Sequence, residues 1–229
     1  MADPLRLILV RHGESHSNAA WPAVALHDHE GDRLTERGER QAQELADAMA
    51  AGETGARRLI ASNLNRAQGT AAPIGRALGL EVETLELVRE LREGHDFPDL
   101  APELQRLRRW SSWMSANETQ PDWAPSGADS FDGFRERIRD FKERAVSICA
   151  EAGGPVIVVT HGIFLRFLLF DSLLGDAFGP EHTPRMWLIR TRNCGVSIFE
   201  HVTADPADVA YANTDWSCLS WMEPTWTGR

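Results

Sequence analysis

The chain has 229 residues, of which 42% are hydrophobic, so it can bury a substantial core, and we expect one globular domain over residues 1–229. Its 24 basic and 34 acidic side chains give a net charge of -10, which argues against nucleic acid or an anionic membrane surface as a partner. The three cysteines are widely spaced, unlike a zinc site or a disulfide framework, which favours a reducing cytoplasm as the location.

The first predicted element is a buried strand at Leu5–Val10, a branched apolar run that ends at the polar Arg-His-Gly of residues 11–13. The run is much too short for a signal peptide or a membrane span. We therefore interpret it as the first strand of a soluble protein, which delivers the residues after it to a surface turn.

Helices and strands then alternate along the chain. A helix is predicted over Thr35–Ala50, where apolar residues recur at helical spacing behind a possible N-cap at Thr35. Arg58–Ala61 is a short strand candidate. A long helix is predicted over Ser130–Ala152, stopped by two glycines, and Pro155–Thr160 is a stronger strand candidate.

This alternation predicts an α/β fold, a three-layer sandwich with a mostly parallel central sheet and helices on both faces.

Residues 95–129 interrupt the pattern, being rich in Pro, Ser and Trp with one helical candidate at Pro102–Met114. We interpret them as an inserted loop and helix region over the active site. The insertion contains Trp110, Trp113 and Trp123. These tryptophans could form an aromatic substrate pocket or a small core of the insertion. The tail after His201 is expected to pack back on the body.

Two histidines carry the main functional signal. His12 and His161 each follow a predicted strand directly and precede a glycine, so a parallel sheet would bring both to one edge. Arg11 adjoins His12, and Arg66 lies early in a predicted helix that can reach the same edge. Guanidinium groups match phosphate oxygens, and nearby cations favour a neutral imidazole whose ring nitrogen can attack phosphorus.

Four segments resemble the histidine phosphatase superfamily, which includes cofactor-dependent phosphoglycerate mutases and many phosphatases. They are L-I-L-V-R-H-G-E-S-H-S-N at residues 7–18, L-T-E-R-G-E-R-Q-A at 34–42, S-N-L-N-R-A-Q-G-T-A at 62–71 and V-V-T-H-G at 158–162. Arg-His-Gly alone is a weak motif, but four elements in this order span nearly the whole chain.

The resemblance implies that His12 becomes phosphorylated and that basic groups surround the phosphoryl oxygens. Neither a metal nor a cofactor is implied, because preorganised cations can stabilise the negative charge of a transferring phosphoryl group. The implied phosphate-binding residues are Arg11, Asn18, Arg66, His161 and Gly162.

The family also uses a carboxylic acid as proton donor to the leaving oxygen, usually a glutamate four residues before a glycine. In L-V-R-E-L-R-E-G, Glu90 has Gly94 at that offset, and Glu93 is a rival. The usual aromatic residues around the glycine are missing here. A general acid near an anionic phosphoryl group is favoured in its protonated form, which suits the role.

A different local pattern, residues 27–30 (His-Asp-His-Glu), offers metal-ligand types. Adjacent ligands in a polar loop do not follow the spacing of zinc sites. We interpret this run as a solvated turn and expect no metal.

These features predict a metal-independent phosphoric monoester hydrolase that acts on a small phosphorylated metabolite through a phosphohistidine. One alternative is a phosphoglycerate mutase, in which the phosphorylated intermediate is retained. The chain has L-R-E-G-H where mutases carry an Arg-Arg-Tyr-Gly-like segment, although Arg108-Arg109 in the insertion keeps this alternative open. Another is a non-catalytic module that binds phosphorylated ligands, since fold does not guarantee activity. The oligomeric state is not predicted.

Overall fold

The computed structural model describes residues 4–19, 32–92, 102–124, 127–201 and 216–227, and of residues 102–110 the helical backbone alone. In this part of the chain the strands are β1 Leu5–Arg11, β2 Arg58–Ala61, β3 Val82–Thr84, β4 Val156–Thr160, β5 Val196–His201 and β6 Trp216–Glu223. The α-helices are α1 His16–Ala19, α2 Glu36–Ala51, α3 Asn65–Leu78, α4 Pro102–Thr119, α5 Phe131–Ala152, α6 Gly162–Leu174 and α7 Thr183–Met186. Short 3-10 helices lie at Glu86–Val88, Gly175–Ala177 and Pro180–His182.

The six strands form one sheet in the order β3-β2-β4-β1-β5-β6. The pairs β3-β2, β2-β4 and β4-β1 are parallel, whereas β5 runs antiparallel to both of its neighbours. The prediction of a mostly parallel sheet is confirmed. The tail after His201 does return to the body, and part of it forms the edge strand β6.

Helices cover both faces of this sheet, as predicted. In β1, Leu7 and Leu9 belong to a core shared with α5 and α6, whereas Ile8 and Val10 belong to a second core shared with α2 and α3. This division follows from the alternation of side chains along a strand. Two apolar layers therefore hold the central strands rigidly, and the ends of those strands are fixed in space.

Helices α2 and α5 each begin and end within one residue of the bounds predicted from the sequence. Thr35 caps α2 by accepting a hydrogen bond at Oγ1 from Gly38 N at 3.0 Å. Ser130 caps α5 in the same way through Gly133 N, and α5 ends at Gly153, whose φ of 63° is the left-handed conformation that glycine adopts easily. Within the described ranges, no helix combines the length and the apolar content that a membrane span requires.

The helix of the insertion is longer than predicted, because tertiary contacts extend it. It continues past Met114 to Thr119, and the buried Asn117 joins it to the start of α5 by accepting from Phe131 N at 2.7 Å. Trp113 is fully buried in the core shared with α5 and α6, and its indole donates to Asp129 O at 2.6 Å. Trp113 is therefore part of the main core, not of a separate core of the insertion.

Replacing Trp113 by alanine should lower the free energy of unfolding by about 3–5 kcal/mol, because the change opens a large cavity in the core. The matched control is Trp123→Ala, since Trp123 is 43% exposed and its loss should cost less than about 1 kcal/mol. Urea denaturation of both variants measures the difference. Similar stabilities of the two variants would contradict the core position of Trp113.

Candidate active site

The pairing of β1 with β4 brings the two predicted histidines together. Arg11 and Thr160 are opposite each other in this parallel pair, so the next residue of each strand leaves the sheet at the same edge. The backbone N–H of His12 donates to Thr160 O at 2.9 Å. The buried rings of His12 and His161 then lie with their centroids 5.1 Å apart.

The tautomer of His12 follows from one hydrogen bond. Its Nδ1 lies 2.7 Å from the carbonyl oxygen of Gly13, which can only accept, so Nδ1 carries the proton. In the neutral ring the lone pair is therefore on Nε2. This arrangement supplies a nucleophilic nitrogen of defined direction.

The loop after His12 is held by very close backbone packing. A Cβ on Gly13 would lie 2.7 Å from Gly38 O, and a Cβ on Gly38 would lie 2.0 Å from Glu14 O. Only glycine fits at either position. The side chain of Glu14 also accepts a hydrogen bond at Oε1 from Thr35 Oγ1, at 2.9 Å. The Arg-His-Gly-Glu and Leu-Thr-Glu-Arg-Gly segments are thus two halves of one packed unit.

Arg66 lies near the start of α3, where its side chain is buried and contacts a carboxylate. Its Nη1 is 3.4 Å from Oδ2 of Asp32, whose side chain is fully buried. Asp32 also accepts hydrogen bonds from the backbone N and the Oγ of Ser17, at 3.1 and 2.5 Å. No pattern in the sequence marks Asp32 as a site residue, because its burial is apparent only in the folded chain.

Arg11 lies against the first turn of α6. Its Nη1 donates to Thr191 O at 2.7 Å, and a Cβ on Gly162 would lie 3.3 Å from its Nε. The glycine after His161 therefore makes room for the guanidinium group. Arg11, His161 and Gly162 thus form one cluster beside His12.

Ser62 is a further site residue that was not singled out in the sequence. Its Oγ lies 2.8 Å from Nε2 of His161 and accepts from Leu64 N at 3.3 Å. Both side chains are fully buried. Ser62 belongs to the Ser-Asn-Leu-Asn-Arg run, and it fixes the ring of His161 from the end of β2.

Asn18 stabilises the loop that follows His12. Its Oδ1 accepts hydrogen bonds from Ser15 N at 2.6 Å and from Ser15 Oγ at 3.2 Å. These contacts belong to the loop itself. A direct contact of Asn18 with phosphate stays a prediction.

Glu90 reaches the same edge by capping α6. Its Oε2 accepts from Ile163 N at 3.1 Å, and its Oε1 accepts from Phe164 N at 3.0 Å. These two amide groups have no acceptor within the helix itself, so the side chain of Glu90 satisfies them. Other predicted candidates lie outside the described residues or have undescribed side chains, namely Glu93, the run at residues 27–30, Arg108, Arg109 and Trp110.

A cysteine also lies close to His12. The backbone N of Cys194 donates to Arg11 O at 3.0 Å. Burial raises the pKa of the Cys194 thiol to about 12, although the positive charge of Arg11 acts in the opposite direction. The thiol is therefore protonated at neutral pH and is a poor nucleophile. The imidazole of His12 is the better candidate.

The chain is similar to known proteins in sequence and in fold. The family model described as histidine phosphatase superfamily (branch 1) matches residues 7–214. A Yersinia enterocolitica protein named probable phosphoglycerate mutase GpmB is 33% identical over 224 residues, which are 95% of this chain and 90% of the relative. A mycobacterial glucosyl-3-phosphoglycerate phosphatase has a TM-score of 0.69 at 22% identity, with 96% of this chain and 99% of that one covered. The alpha-ribazole phosphatase of Shigella flexneri has a TM-score of 0.65 at 23% identity, covering 96% and 97%.

Asp32→Ala should lower the free energy of unfolding by about 3 kcal/mol or more, because it removes one partner of a buried ion pair. Asp47→Ala is the matched control, since Asp47 is exposed on α2 and bonds only Gln43 among the described contacts. That change should stay within about 0.5 kcal/mol. Chemical denaturation measures both, and equal stabilities would contradict a structural role for Asp32.

Proposed function

The chain belongs to the histidine phosphatase superfamily (branch 1), and from this premise we propose that it is a phosphomonoesterase acting on a small phosphorylated metabolite. His12 is the proposed nucleophile. The observation that carries the proposal is the hydrogen bond from His12 Nδ1 to Gly13 O, which leaves the ring's lone pair on Nε2.

The proposed reaction has two in-line steps. In the first, Nε2 of His12 attacks phosphorus, the bond from phosphorus to the ester oxygen breaks, and the alcohol leaves with a proton from Glu90. In the second, water attacks phosphorus, Glu90 takes a proton from that water, and the phosphorus–nitrogen bond breaks. Inorganic phosphate leaves, and both side chains return to their starting states.

Basic groups stabilise the phosphoryl group in both steps. Arg11, Arg66 and His161 are the proposed partners of its equatorial oxygens, and the backbone N–H of Gly162, the first residue of α6, is a further proposed donor. Their charge replaces the metal ion of other phosphoryl-transfer sites. We therefore propose that the reaction needs neither a metal nor a cofactor. We also propose that it takes place in the cytoplasm, as the three widely spaced cysteines suggest.

The role of Glu90 as acid is supported by its place beside His161 and Gly162. Both of its oxygens accept amide hydrogen bonds from α6, so delivering a proton to the substrate requires the carboxyl group to exchange one of these bonds. Such rearrangements are common when a substrate binds, because catalytic hydrogen bonds often form only in the complex.

A mutase is the second candidate function, favoured by the name of the Yersinia enterocolitica relative. The two reactions share the phosphohistidine and differ in its fate, since a mutase returns the phosphoryl group to its substrate. A non-catalytic module is disfavoured by the joint presence of His12, His161, Arg11, Arg66 and Glu90.

The test is to incubate the purified protein with a panel of phosphorylated metabolites in excess chelator and to measure released phosphate. We expect release from at least one compound and none from the His12→Ala variant. Interconversion of 2- and 3-phosphoglycerate without release would identify a mutase. Absence of any turnover would favour the binding module, and activity that returns only with a divalent metal would contradict metal independence.

Glu90→Gln should slow hydrolysis of an alkyl phosphate by about 10²–10⁴-fold, because its alcohol leaves only with a proton. Hydrolysis of 4-nitrophenyl phosphate should slow far less, because nitrophenolate is a good leaving group. The control is Glu86→Gln, because Glu86 is exposed and forms a surface ion pair with Arg92. If Glu93→Gln shows the selective loss instead, Glu93 is the acid.

A further inference from the structure

Arg166 and Trp187 form a pair beside the site that the proposed chemistry does not use. The Cζ atom of Arg166 lies 4.5 Å from the centroid of the Trp187 ring, within the range of a cation–π contact. Arg166 is only 9% exposed, whereas 39% of Trp187 remains exposed. The guanidinium group thus holds an aromatic ring that still presents much of its surface to solvent.

Residues 187–194, here called the rim segment, connect this pair to the catalytic edge. Ile189 O accepts from Arg166 Nε at 3.0 Å, and Thr191 O accepts from Arg11 Nη1 at 2.7 Å. At the other end, Asn193 Nδ2 donates to the carbonyl oxygen of His12 at 3.2 Å. The rim segment therefore runs along the basic groups of the site and begins at the exposed tryptophan.

The pair lies close to the start of α6, which the proposed acid caps. Arg166 Nη1 is 3.5 Å from Gly162 O, in the same helical turn that Glu90 caps. Burial lowers the pKa of Arg166, and the charge of the Glu90 carboxylate opposes that change, so the two groups are within electrostatic reach. A leaving oxygen protonated by Glu90 would direct the rest of its alcohol to this side.

We propose that Trp187, held by Arg166, is the binding subsite for the alcohol part of the substrate and that this alcohol carries a planar ring. The inference rests on the proposed function and on the roles of His12 and Glu90 within it. An exposed indole attracts flat rings by stacking, and Leu188, which is 81% exposed, adds apolar surface next to it. A small polar alcohol such as glycerate would gain little from such a surface.

The test uses phosphonates, which cannot be hydrolysed. Calorimetry on the intact enzyme compares naphthylmethylphosphonate with methylphosphonate, and the ratio of their affinities measures the ring's contribution. Trp187→Ala should reduce this ratio about fivefold, in line with the strength of aromatic pairs, and Trp187→Phe should restore most of it. Leu219→Ala is the control, because Leu219 is 57% exposed on the edge strand β6, two strands away from β1.

Three results would overturn the subsite. The first is equal affinity of the unmodified enzyme for the two phosphonates, and the second is an unchanged affinity ratio in Trp187→Ala. The third is that cyclohexylmethylphosphonate, which lacks a planar ring, binds as tightly as naphthylmethylphosphonate. Because binding is measured without turnover, the two proposals fail separately. If Trp187→Ala leaves the affinity ratio unchanged and the unmodified enzyme is an active phosphatase, only the subsite is contradicted. If Trp187→Ala lowers the ratio as expected but the unmodified protein hydrolyses no substrate, only the proposed function is contradicted.

Discussion

The site depends on the parallel pairing of β1 with β4. Arg11 and Thr160 are register partners, so the chain leaves both strands at the same level and places His12 beside His161. Apolar layers on both faces of the sheet fix these strands. Two side chains separated by nearly 150 residues thereby lie with their ring centroids 5.1 Å apart.

Around this pair, buried polar contacts orient each group. Gly13 O fixes the tautomer of His12, Ser62 fixes His161, and Asp32 contacts Arg66. Burying such groups is costly unless they are hydrogen-bonded, so their contacts define one geometry and exclude others. In the proposed reaction, histidines and an arginine held in this way would not need to reorganise as charge develops on a phosphoryl group, and this preorganisation makes electrostatic stabilisation effective.

The sequence predicted the features that local patterns encode. Apolar runs indicated the central strands, Thr35 and Ser130 marked helix starts, and a histidine directly after two strands indicated the shared edge. Pairing between distant segments has no local signal, and so β5 and β6 were not foreseen as strands. Asp32 and Ser62 were missed for the same reason, because a buried polar residue is distinguished from a surface one only by neighbours that folding brings to it.

The role proposed for His12 as carrier of the phosphoryl group is tested by locating that group in enzyme quenched with alkali during turnover. Phosphorus and nitrogen magnetic resonance, combined with peptide mapping, identifies both the residue and the ring nitrogen. The proposed mechanism predicts a base-stable, acid-labile phosphoramidate on Nε2 of His12, since Nδ1 donates to Gly13 O. A phosphoryl group on His161, or on Nδ1 of His12, would contradict it.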